Sequence, residues 1–225
     1  MRLPYFIVFQ IISLVMALVY YRHIRLFSLQ VMLPLMAFVC TIEIVAANIG
    51  VNLSVYNIYV FISPVFYYIL FFNIIRFKPV FKKVYIAIAI LCITLFAYDY
   101  FFLRPGDFNA YSMMGAMITY IILSCIVLAQ IITDDTRHIS LLKEPYFWLT
   151  TGIIIFSLVS VVVLGLYTFI ARNAIQIFGK NMHRIIMPLA NVVLYSCWSY
   201  SFYLCKVHSN KIASLNFPKT ADSVR

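Results

Sequence analysis

The sequence predicts an all-α, polytopic membrane protein with seven transmembrane helices, the N-terminus outside and the C-terminus inside. Three observations predict this. First, 64% of the 225 residues are hydrophobic and only 11% are charged, whereas soluble domains are about 45–50% apolar. Second, seven apolar runs of about 18 residues or more, each able to cross a ~30 Å hydrocarbon core, fall near 3–21, 26–47, 51–75, 84–103, 111–133, 146–171 and 184–205. Third, the basic residues are unevenly shared between the two sides. An N-outside arrangement places twelve lysines and arginines on the inner side and five on the outer, as the positive-inside rule requires.

The first span lacks a small-x-small cleavage site and is expected to be a retained helix. It ends in Tyr20, Tyr21, Arg22, His23 and Arg25, an aromatic and basic belt suited to the inner interface, with His23 a headgroup-level residue. The second span climbs outward and carries Glu43 about 25 Å up, with Ala46, Ala47 and Gly50 forming a small-residue face beside it. The third starts near Asn52 and Asn57 and contains Pro64, which predicts a bend. The fourth brings Asp99, flanked by Tyr98 and Tyr100, to the outer level, followed by the turn-forming run 104–109.

The fifth span opens with Met113, Met114 and Met117, and the seventh opens on the same side with Met182, His183 and Met187. Such groups suit Cu(I), but methionine also fills apolar gaps, and packing is the expected role. The 134–145 connection, DDTRHISLLKEP, mixes both charge signs. It is expected to be solvated at the cytoplasmic side, a surface for docking rather than chemistry. In the sixth span, after Pro145 at a helix start, Thr150, Ser157, Ser160 and Tyr167 recur at helical spacing. The seventh carries Asn191, Tyr195, Trp198, Ser199 and Phe202 along one face.

Several function classes lack their residues. The net charge of +10 lies at helix ends and marks topology, so nucleic acid is not expected. Cys40, Cys92, Cys125, Cys197 and Cys205 sit inside helices at no metal or redox spacing. The seventh span has no interior lysine for a retinal Schiff base, and no histidine pair supplies zinc ligands. A Pro-Gln pair typical of small sugar transporters and a glycine-rich phosphate loop are missing too. No enzymatic activity, cofactor or metal is expected.

The stretch 40–64, CTIEIVAANIGVNLSVYNIYVFISP, organises the functional expectation. An ionisable group at membrane depth costs at least about 2.5 kcal/mol and marks a functional site by default. Glu43, Asn48, Asn52, Asn57 and Asp99 fall at similar height near the outer side, with Asn191 and Tyr195 able to approach from the seventh span. The alternative is interhelical hydrogen bonding without a ligand.

Glu43 with Asn48, the run Pro145-x-Phe147-Trp148-x-x-x-Gly152, and Asn191-x-x-x-Tyr195 together resemble uncharacterised seven-helix inner-membrane proteins of Bacteroidota, often encoded beside or fused to sensor histidine kinases. The resemblance implies a bacterial cytoplasmic membrane and, with no kinase following the last span, a separate cytoplasmic partner. The expected function is a membrane sensor or receptor-like module that binds a small ligand or cation in an outward-facing polar cavity. A transporter or channel subunit using Glu43 and Asp99 in an ion or proton path, and a scaffold subunit, are the alternatives. A short basic cytoplasmic tail is expected over 206–225.

Overall fold

A computed structural model describes residues 5–49, 53–75, 79–98, 101–102, 110–133, 140–166, 176–177, 180–181 and 183–216. These are helical apart from turns and one two-residue antiparallel pairing of Gln176–Ile177 with Lys180–Asn181. The helices are α1 (Tyr5–Val19), α2 (Tyr21–Leu26), α3 (Met32–Ile49), α4 (Leu53–Ile74), α5 (Pro79–Tyr98), α6 (Ala110–Ile132), α7 (Pro145–Gly165) and α8 (His183–Asn216).

Four segments are long and apolar enough to cross a membrane: Val55–Ile74, Ser112–Ile132, Pro145–Gly165 and Ile185–Lys211. Tyr5–Val19 and Met32–Ala46 are shorter apolar helices. The outward faces carry apolar side chains where a soluble protein carries charges. Ile118, Ile122 and Ile126 on α6 and Ile155, Leu158 and Val162 on α7 are exposed, at the i, i+3, i+4 spacings of a single helix face. An apolar belt of this extent is matched by hydrocarbon rather than water, so the chain is a membrane protein in contact with lipid.

Helix α8 is the centre of the packing. It packs most extensively on α7, then on α1, and also touches α2; α7 packs on α6, α1 on α3, and α3 on α4. Gly152 permits the α7–α8 contact. A Cβ there would lie 2.9 Å from Cys197 Cβ and 3.3 Å from the Leu194 carbonyl oxygen. Helix α5 packs on α4, helped by the Tyr85 hydroxyl, which donates to the Tyr68 carbonyl at 2.8 Å.

The second helical span starts at Met32 rather than at 26 because α2 closes first. Ser28 takes a left-handed φ of 56°, Leu29 N–H donates to the Ile24 carbonyl and Ser28 N–H to the Arg25 carbonyl. That pair of bonds is a Schellman cap, sealed by the contact expected between its flanking apolar residues, here Ile24 and Leu29, both buried. Helix α5 begins at Pro79, earlier than the expected 84, and includes Lys82 and Lys83. The Lys82 ammonium lies 4.6 Å from the Phe72 ring centroid, so its apolar stem runs along the helix while the charge stays peripheral. Helix α8 continues to Asn216 rather than stopping at 205, so part of the expected tail is helix.

A latch joins α7, α8 and the α2–α3 turn at the end of the bundle opposite Glu43. The Tyr146 hydroxyl donates to the Phe27 carbonyl at 2.8 Å, and the Ser201 hydroxyl donates to the Pro145 carbonyl at 2.8 Å. A 3-10 turn, Leu141–Lys143, accepts from Trp148 Nε1 at Leu142 and meets His208 Nε2 at the Lys143 carbonyl, both at 2.8 Å. The 140s connection is thus not wholly solvated. Glu144 is buried at the N-terminal end of α7, where the helix dipole favours negative charge. Tyr146→Phe should lower stability by about 1 kcal/mol, seen as a lower melting temperature in nanodiscs; an unchanged melting temperature would show that the Tyr146–Phe27 bond contributes nothing.

Candidate functional site

One cavity of about 220 Å³ brings together side chains from six helices. Helix α3 supplies Val39 and Glu43, four residues apart and therefore on one face. Helix α4 contributes Tyr56, Tyr59 and Val60 by the same periodicity. Helix α8 presents Met187, Pro188, Asn191 and Tyr195, with 187, 191 and 195 stacked one turn apart. Phe6 of α1, Met113 of α6 and Phe156 of α7 complete the described wall.

Glu43 is the only carboxylic side chain among the described lining residues, and no lysine, arginine or histidine accompanies it there. It is half-buried and makes no hydrogen bond or ion pair among the described residues. Asn191 is likewise half-buried and without a side-chain hydrogen bond among them. Pro188 has no N–H and so cannot donate to the carbonyl of residue 184, one turn earlier in α8. The site therefore offers one carboxyl group, one amide and the hydroxyls of Tyr56, Tyr59 and Tyr195 within walls that are otherwise aromatic, aliphatic and thioether.

Of the residues expected from sequence, Glu43, Asn191 and Tyr195 line this cavity. Asn57 is buried but is not among the lining residues. Asn48 is exposed, and its side-chain amide donates to the Ile44 carbonyl of its own helix at 2.8 Å. It points away from a shared site because an asparagine near a helix end satisfies itself on the preceding turn. Asn52 and Asp99 lie outside the described residues, as do Gly50, Tyr167 and Met182. Ala46 is buried. Pro64 is buried in α4 away from the described wall; the proline that reaches the cavity is Pro188.

Met113 and Met187 both face the cavity, but no group of three or more His, Cys, Asp or Glu side chains able to hold a metal occurs among the described residues. The hydroxyl stripe of α7 faces inward without reaching the cavity. Thr150 and Ser160 are buried and return their hydroxyls to their own helix, at Tyr146 and Phe156, at 2.7 and 2.8 Å. Sequence reasoning missed Tyr56, Tyr59, Phe6 and Phe156. The i, i+3, i+4 set Tyr56, Tyr59 and Val60 is the signal that could have found the α4 face; for Phe6 and Phe156 no local signal exists.

Behind the cavity the core is aromatic. Tyr195 meets Trp198 edge-on with ring centroids 5.7 Å apart, Trp198 lies 6.4 Å from Tyr67, and Tyr67 stacks on Tyr120 at 4.3 Å. Gln10, Ser124, Ser157 and the Trp198 indole N–H are buried and have no hydrogen-bond partner among the described residues. No protein-family model, curated protein or solved structure matches the chain.

Proposed function

We propose that the chain spans a bacterial cytoplasmic membrane seven times, N-terminus outside, and acts as a sensor or receptor-like module whose outward-facing cavity binds a small ligand. The observation that carries this reading is the cavity itself, where Glu43, Asn191 and Tyr195 converge with walls from α1, α4, α6 and α7. A ligand touching six helices at once can favour one packing of the bundle over another, provided its affinity for the two differs. Helix α8 supports a route for the change: it carries Asn191 and Tyr195 at one end and, toward the other, Ser201 and His208, which bond the start of α7 and the 3-10 turn. A separate cytoplasmic protein, of the histidine-kinase type suggested by the sequence resemblance, would read that end.

A second reading, a translocation path for an ion or proton, is favoured by the unbonded buried groups Gln10, Ser124 and Ser157, since polar groups left unpaired in an apolar interior are places where a hydrated species gains partners. The two readings separate in proteoliposomes. The sensor reading expects wild-type proton and monovalent-cation flux no greater than that of empty liposomes. A flux present in wild type and lost in Glu43→Gln would replace the sensor by a transporter.

A further inference from the structure

We propose that the cavity takes a small organic ammonium ion, with its charged nitrogen at Glu43 and an apolar body against Tyr56, Tyr59 and Phe156. The inference rests on the reading of the cavity as a ligand site and narrows that ligand to one chemical class.

Charge is the first argument. The described wall carries one carboxylate and no cationic side chain, and Glu43 has no ion-pair or hydrogen-bond partner among the described residues. An anionic ligand would meet like charge in a site of low dielectric, whereas a cation supplies the partner a membrane-depth carboxylate lacks. The hydrogen-bonding inventory is compatible with this. An ammonium group has only donors; Glu43 can accept, and Asn191 and Tyr195, which line the same space and both donate and accept, can accept as well.

The walls argue for an organic cation over a bare metal ion. Hard cations take six or more oxygens, largely from carboxylates and carbonyls, whereas the described wall holds a single carboxylate, one amide and three tyrosine hydroxyls among apolar side chains. Aromatic faces do attract ammonium groups, most strongly where water is excluded, and the polarizable thioethers of Met113 and Met187 adapt to an apolar body. Size sets the remaining limit: about 220 Å³ is below the roughly 300–1,000 Å³ of drug-sized sites, which admits a monoamine with one ring or a short chain.

The test uses the whole wild-type protein in nanodiscs with three probes of one shape: phenethylammonium, phenylethanol and phenylacetate. Binding is followed by calorimetry and thermal stabilisation against empty nanodiscs. Phenethylammonium should bind saturably and at least about tenfold more tightly than the neutral alcohol, as a charge-assisted hydrogen bond predicts, and phenylacetate should bind least. In Glu43→Gln the preference for the cation over the alcohol should shrink to within about twofold. A folded Glu43→Gln protein that keeps the full preference overturns the role of Glu43, and the wild-type ranking decides the inference even when that variant fails to fold. Equal or tighter binding of the alcohol or the carboxylate overturns the ammonium inference while leaving the cavity a ligand site. If none of the three binds saturably, the ligand-site reading falls with it.

Discussion

Gly152→Ala is expected to destabilise the bundle by about 1–3 kcal/mol, and Gly152→Leu to prevent recovery of folded protein. The new Cβ would sit 2.9 Å from Cys197 Cβ and 3.3 Å from the Leu194 carbonyl oxygen. Neither is the far end of a flexible side chain, so α7 and α8 themselves must separate. Their contact is the most extensive in the bundle, and in lipid close van der Waals packing replaces the hydrophobic drive that holds soluble helices together. The same separation would draw Phe156 away from Asn191 and Tyr195, so probe binding should weaken along with stability. Removing the opposing atom with Cys197→Gly in the Gly152→Ala background should give a double variant less destabilised than the sum of the two single changes. Detergent or nanodisc melting curves measure all four proteins; a Gly152→Ala protein that melts like wild type would show that the helices have room to spare.

Trp198→Ala should cost about 3–5 kcal/mol, the range for deleting a buried large aromatic side chain. Trp198 is 2% exposed and lies between Tyr195, which lines the cavity, and Tyr67, which stacks on Tyr120. Its removal opens a hole where α4, α6 and α8 meet and leaves Tyr195 without the ring that orients it. Trp198→Phe makes the expectation sharper. The indole N–H has no hydrogen-bond partner among the described residues, so replacing it forfeits no bond, and Phe retains most of the ring contacts. The Phe variant should lose well under half of what the Ala variant loses. Equal losses would mean that the N–H, rather than ring packing, supports this region.

Much of the fold was legible because hydropathy is a local property. The apolar runs that predicted helices over 111–133 and 146–171 correspond to α6 at Ala110–Ile132 and α7 at Pro145–Gly165. The boundaries that moved did so for identifiable reasons. Ser28 closes α2 in a left-handed conformation usually given to glycine, so the chain carried no glycine to announce the stop. Lys82 and Lys83 lie inside α5, where a rule that assigns charge to loops excludes them. Glu144, grouped by composition with a solvated loop, is buried at the start of α7.

The sequence by itself determined the membrane class, the helical content and the prominence of Glu43, because the cost of a carboxylate in an apolar run depends on its immediate neighbours alone. It also placed Asn191 and Tyr195 on one face of α8, four residues apart. Which helices stand beside Glu43 was decided only by tertiary packing. Lipid tails and leucine side chains are nearly equivalent neighbours, so hydropathy carries no lateral order. The order arises from shape, at contacts such as Gly152 against Cys197, and from single bonds such as Tyr146 to Phe27. That order set Tyr59, Phe156 and Met113, distant in the chain, around the carboxylate.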